Sequence, residues 1–202
     1  MTNMKFKKAL LVVDVQNDFC PGGALGVPEG HKIVPSINKY IKIFAKSKSP
    51  IFATRDWHPV KTKHFKDFGG VWPIHCLQNS KGATFHPDLK LTKDMILLYK
   101  GMDPDKDCYS SFHAEDASGI SLLDWLKRLD IKELYIAGLA TDYCVKFTAI
   151  DALKNGFKVR ILIDAIQGVN LKPKDSEEAI KKIINMGAKK IKLADLTTKR
   201  RK

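Results

Sequence analysis

The sequence predicts an α/β fold: a three-layer, open, mostly parallel sheet with helices on both faces. Short apolar runs alternate with helical patterns from one end of the chain to the other. The runs are continuous and rich in Val, Ile and Leu, the pattern of strands covered on both faces. The chain has 202 residues and no low-complexity linker divides it, which predicts a single domain over residues 1–202.

The first strand is expected at 9–15. Helical spacing follows at 34–47, where Ile37, Ile41 and Phe44 share one face, and a second apolar run lies at 51–54. Residues 56–94 break the rhythm. This segment holds four histidines, three prolines and two glycine-containing turns, and a long irregular stretch inside a compact domain is usually functional. The rhythm resumes with a strand at 95–99, a helix at 121–129 (Leu122, Leu126, Leu129) and a strand at 134–137. A helix at 144–155 closes on Gly156 and one at 176–186 closes on Gly187, each glycine suited to a left-handed position after the last turn. Strands at 157–163 and 191–193 complete the series.

Lys and Arg number 35 against 22 Asp and Glu, a net charge of +13 that raises nucleic acid or an acidic membrane as a partner. Neither is expected. No helix-turn-helix, zinc-finger or RNA-binding signature is present, and lysines such as Lys39, Lys42, Lys46 and Lys48 are scattered over helix faces and turns. No apolar run approaches the length of a membrane span, and the basic stretch 197–202 reads as a solvated tail. The four cysteines, Cys20, Cys76, Cys108 and Cys144, show no paired spacing, which excludes a zinc ribbon or a disulfide scaffold. With no export signal at the N-terminus, the chain is expected to be cytoplasmic with reduced thiols.

In an open parallel sheet, ligands bind beyond the carboxyl ends of the strands. The first strand runs into Asp14, the second into Asp56, the third into Lys100 and the fourth into the loop that carries Cys144. Singly, a carboxylate there commonly caps a turn and a cysteine is commonly a small buried hydrophobe. Together they suggest nucleophilic chemistry. Cys144 stands where a loop becomes helical, so free amides and Lys100 would favour its thiolate while Asp14 handles the proton. Asp56 and His58, two apart on a strand extension, point to one side and can share a metal with His75 or His64. Mixed His and carboxylate ligation suits zinc, iron or manganese. His86, followed by Pro87, is expected only to bond its own loop.

Five motifs carry a family resemblance: Asp14-Val-Gln-Asn-Asp-Phe19, Thr54-Arg-Asp-Trp-His-Pro59, Trp72-Pro-Ile-His-Cys76, Lys100-Gly101 and Gly138-Leu-Ala-Thr-Asp-Tyr-Cys-Val145. In this order and spacing the chain resembles the nicotinamidases within the isochorismatase-like cysteine hydrolases. The resemblance implies a triad of Asp14, Lys100 and Cys144, and an oxyanion hole from the amides of Ala140 and Cys144 after a cis Leu139–Ala140 peptide. It implies one divalent metal, zinc first, on Asp56, His58 and His75, with His64 a ligand in some members only. Phe19, Trp72 and Tyr109 match residues that wall the aromatic substrate. The implied activity is hydrolysis of nicotinamide, and of pyrazinamide, through a thioester in NAD salvage. The alternative is a related cysteine amidohydrolase acting on a ureido or carbamoyl amide, and homo-oligomerisation is left open.

Overall fold

The computed structural model describes residues 7–198; residues 1–6, and the 199–202 part of the basic tail, lie outside the described residues. Six strands, β1 (Lys8–Val13), β2 (Ile51–Asp56), β3 (Ile96–Lys100), β4 (Glu133–Leu139), β5 (Lys158–Gln167) and β6 (Lys189–Ile191), form one sheet in the order β3-β2-β1-β4-β5-β6. Every neighbouring pair is parallel. Among the described residues five α-helices pack on it: α1 (Val34–Lys46), α2 (Leu122–Arg128), α3 (Lys146–Lys154), α4 (Asp175–Asn185) and α5 (Leu193–Thr198). Among the described residues no helix is long and apolar enough to cross a membrane.

Alternation along β1 builds both layers of the core. Leu10 and Val12 join Ile37, Tyr40, Ile41 and Phe44 of α1 on one face, while Ala9, Leu11 and Val13 join Leu122 and Leu126 of α2, Ala149 and Ala152 of α3 and Ile183 of α4 on the other. Lys39, Lys42, Lys46 and Lys48 are exposed on or just past α1. Ser121 caps α2, its Oγ accepting from the Asp124 amide at 3.1 Å. Ser121→Ala is expected to cost about 1 kcal/mol, read as a fall of about 2–4 °C in Tm.

Several boundaries differ from the sequence pattern: β2, β4 and β5 run on to Asp56, Leu139 and Gln167, and three other differences have a local cause. β1 stops at Val13 because Asp14 turns to a φ of 49°, outside the extended region. The helix expected from 144 starts with a π turn, Thr141–Val145, before α3 begins. The last strand ends at Ile191, and Leu193 opens α5, an element the periodicity does not predict. There the Leu193 amide donates to Asp164 and the Lys192 amide to Asp195, so side-chain carboxylates rather than an apolar pattern start the turn. Gly156 and Gly187 take φ values of 82° and 110°, as predicted.

The strand order places a switch point between β1 and β4. The chain moves outward through β2 and β3, returns to β4 and leaves in the other direction through β5 and β6, opening a crevice above the carboxyl ends of β1 and β4. Gly138 lies beside Val13 at that point, with φ 119°; a Cβ there would collide with the Val13 carbonyl. The irregular segment after β2 contributes a single 3-10 turn, Lys66–Phe68, and isolated bridges pairing His58 with Leu77 and Phe65 with Trp72.

Candidate active site

Four strand ends bring Asp14, Asp56, Lys100 and Cys144 together. Asp14 is fully buried, and its Oδ1 accepts from Thr54 Oγ1 at 2.7 Å. Behind Thr54, the Ser111 hydroxyl stands 3.5 Å away and accepts from Thr148 of α3 at 3.0 Å, so buried hydroxyls support the carboxylate. Lys100, 1% exposed at the end of β3, sets its Nζ 3.0 Å from Asp14 Oδ2, in contact with Asp56 Oδ1, and 3.6 Å from Cys144 Sγ. Asp14, Asp56 and Cys144 each offer a donor atom within 4.8 Å of the others. The cation among these three donors is the ammonium of Lys100.

Burial sets the proton balance. It disfavours charge on Lys100, but Asp14 and Asp56 outweigh it and hold the ammonium well above the ordinary lysine value. It lifts Asp14 above the usual carboxylate range, against the pull of Lys100. Asp56 feels the same desolvation, yet Lys100 prevails and keeps it below that range. Cys144 departs from the expected thiolate. Burial raises its thiol well above the ordinary value, Lys100 offsets this only in part, and Asp14 and Asp56 add to the rise. The resting sulfur is therefore a neutral thiol beside a carboxylate of enhanced basicity.

The loop after β4 gives Cys144 its setting. The Leu139–Ala140 peptide is cis, as the resemblance implies. The Ala140 carbonyl accepts from the amides of Tyr143 and Val145, at 3.1 Å each, and not from that of Cys144 between them. Asp142 takes the amides of Val169 and Asn170 at 2.9 and 2.7 Å, which fixes the 168–170 loop at the cavity rim.

Beside this cluster, one ring nitrogen each from His58, His64 and His75 lies within 4.8 Å of the others, and His58 Nε2 stands 3.8 Å from Asp56 Oδ2. Asp56 thus faces Lys100 with one oxygen and the histidines with the other. Every Nδ1 has an oxygen partner: Gly101 O at 3.0 Å for His58, Asp107 Oδ1 at 2.6 Å for His64 and Pro73 O at 2.8 Å for His75. A carbonyl or carboxylate only accepts, so each Nδ1 carries the hydrogen, which in the neutral ring leaves Nε2 its lone pair. Burial holds His75 down to about 4 and His64 below its ordinary value, so both rings are neutral. His58 Nε2 is buried with no hydrogen-bond partner. Three converging lone pairs, one of them orphaned, beside a carboxylate form a donor set for a divalent metal ion. Gly101, with φ 71°, permits this approach, since a Cβ there would lie 2.5 Å from the His58 ring.

A cavity joins the two clusters, lined by Asp56, His64, His75, Ala140 and Cys144 together with Phe19, Trp72 and Tyr109. Trp72 Nε1 donates to Tyr109 OH at 2.9 Å, and the Phe19 ring lies 5.5 Å from that of His75. Cys108, Leu25, Val27, Leu139, Tyr143 and Val169 also line it, none of which the sequence marked as a wall. Of these only Leu139 and Tyr143 lay inside a quoted motif. The first motif serves as a brace: Gln16 bonds both the amide and the carbonyl of Asp56 at 2.8 Å, and Asp18 accepts from the Cys76 amide at 2.7 Å. His86 accepts from the Asp88 amide in its own loop, as expected. All four cysteines are free.

Parallel sheet, switch-point cysteine and buried lysine define a class, and comparison with known proteins gives the family: the Isochorismatase domain matches residues 8–195, and the chain belongs to it. Its relatives within that family are specific. It is 42% identical to the nicotinamidase of Escherichia coli over 93% of this chain and 96% of that protein, and 39% identical to the nicotinamidase/pyrazinamidase of Mycobacterium tuberculosis over 81% and 88%. Among solved structures, the pyrazinamidase of Pyrococcus horikoshii in complex with zinc superposes with a TM-score of 0.85 at 45% identity, covering 93% of this chain and 99% of that one.

Proposed function

We propose that this chain is a nicotinamidase, hydrolysing nicotinamide to nicotinate and ammonia, and pyrazinamide likewise, as a single-domain enzyme of NAD salvage. One observation carries the reading: a single aromatic-walled cavity has the Cys144 thiol, backed by Asp14 and Lys100, beside converging imidazoles. Four free thiols fit a reducing compartment such as the cytoplasm.

Asp14 takes the proton of Cys144 as the sulfur attacks the carboxamide carbon. Lys100 remains an ammonium throughout and balances the anionic charge passed between sulfur and carboxylate. The amides of Ala140 and Cys144 receive the oxyanion of the tetrahedral adduct. Asp14 returns its proton to the nitrogen, the C–N bond breaks and ammonia leaves a nicotinoyl thioester on Cys144. Asp14 then deprotonates a water that adds to the thioester carbon; the C–S bond breaks, the thiol is restored and nicotinate departs. Phe19, Trp72 and Tyr109 clasp the ring and exclude bulk water.

Asp56, His58, His64 and His75 would hold the metal, with zinc favoured by the imidazole-rich set and by the zinc in the Pyrococcus relative. Bound there, the ion supplies a Lewis-acidic point that orients the pyridine nitrogen and so the carboxamide.

Ammonia release from nicotinamide and from a ureido amide, measured side by side, tests the proposal. Nicotinamide should be turned over and the ureido amide barely. Because the ion's part is positioning, chelation should lower nicotinamide turnover by about 100-fold, and zinc should restore it. Full activity in a rigorously metal-free preparation, or preference for the ureido amide, would remove the nicotinamidase assignment.

A further inference from the structure

Two of the three imidazoles take their orientation from one short segment. Gly101 O holds His58 and Asp107 Oδ1 holds His64, whereas His75 bonds a carbonyl two residues behind it. Between those points the segment is fastened again: Pro104 O accepts from the Lys63 amide at 2.8 Å and from Thr62 Oγ1 at 3.2 Å, and Asp105 pairs with Lys63 at 2.8 Å. The strap starts at Lys100 and ends at Cys108 and Tyr109 in the cavity wall.

Asp107 is unlike its neighbours in the strap. Its side chain is 56% exposed, yet it reaches a His64 side chain only 4% exposed. An exposed carboxylate gains little stability from such a pair. What it fixes is the tautomer: with the hydrogen on Nδ1, His64 offers the Nε2 lone pair towards His58 and His75. The ring itself is already held by stacking on His58, with centroids 4.6 Å apart and planes 17° apart. Without the carboxylate the hydrogen can move to Nε2, where it blocks ligation.

We infer that Asp107 is a positioning residue for the metal, making His64 a fourth ligand beside Asp56, His58 and His75 and tying ion binding to the order of the 101–107 strap. This rests on the metal reading above. Its test is cobalt(II) titration of the metal-free protein, followed by visible absorption and hydrogen exchange. Asp107→Asn and Asp107→Ala should bind cobalt about 10–100-fold more weakly than the parent, with an altered ligand-field spectrum. Asp107→Glu should regain part of the loss, and Asp105→Asn, which gives up only a solvent-exposed ion pair, should leave cobalt affinity close to that of the parent. In a His64→Ala background Asp107→Asn should add no further loss. Cobalt should protect the 101–107 amides in the parent and not in Asp107→Asn. If the parent binds cobalt and Asp107→Asn matches its affinity and spectrum, the inference falls and the metal reading stands. If the parent binds no cobalt, both fall.

Discussion

Cys144→Ala is expected to lower nicotinamide turnover by about 10⁴-fold or more, the scale seen when a covalent nucleophile is removed, while Tm moves by only a few degrees. The thiol is small, and the ion pairs of Lys100 with Asp14 and Asp56 survive its loss. Cys108 is the informative control, because it shares the cavity wall with Cys144. Burial raises its thiol too, and it is not in the π turn that leaves the Cys144 amide unbonded to Ala140. Cys108→Ala should therefore keep most of the activity, and the opposite pattern would move the nucleophile. The protonation of Cys144 adds a second reading. In the free protein its alkylation should accelerate as pH rises past the ordinary thiol value of 9.0, because burial has lifted it above that value. Turnover should already be fast at neutral pH, because Asp14 accepts the proton only as the C–S bond forms. Alkylation that stays rapid and flat across neutral pH would mean a standing thiolate and a different division of labour.

That thiol shows where the sequence was legible and where it was not. Strand ends are marked by where apolar runs stop, so Asp14, Asp56, Lys100 and Cys144 could be gathered on one sheet edge before any coordinates. Proton affinities depend on distances in three dimensions. Lys100 beside Cys144 suggested a thiolate, but the same lysine faces Asp14 and Asp56 in a desolvated pocket, and burial with two carboxylates outweighs one ammonium. The histidines follow the same pattern. Asp56 and His58 share a side because they are two residues apart, whereas the equivalence of His64 and His75 appears only in their Nδ1 partners, Asp107 and Pro73. Cavity walls such as Leu25, Val27 and Val169 come from loops without periodicity, and nothing local distinguishes them from other loop residues. α5 was missed for a related reason: its start is set by Asp164 and Asp195, one of them from a distant strand.

Lys100→Met should produce the largest loss of stability, about 3–5 kcal/mol, because it strips the counter-charge from two buried carboxylates without removing them. For a chain of this size that is a fall of about 10 °C or more in Tm. The pH dependence separates this cause from simple misfit of a new side chain. In the parent, the Lys100 contribution is present below 10.5 and is lost only as pH rises through its higher folded value. The contribution of Asp56 is present above 3.8 and fades as pH falls towards its lower folded value. Asp14, raised by burial, opposes these by favouring protonation in the fold. Without Lys100 the sign for Asp56 reverses. Both carboxylates then prefer to be protonated in the folded protein, so acidification relieves the variant already above 3.8, where the parent's Asp56 contribution is still intact. Denaturation followed from about pH 8 to about pH 5 should show the gap between the two proteins narrowing steadily as protons neutralise the stranded pair. A gap independent of pH would mean that methionine destabilises through shape alone, and that the buried ammonium is not the charge holding Asp14 and Asp56 together.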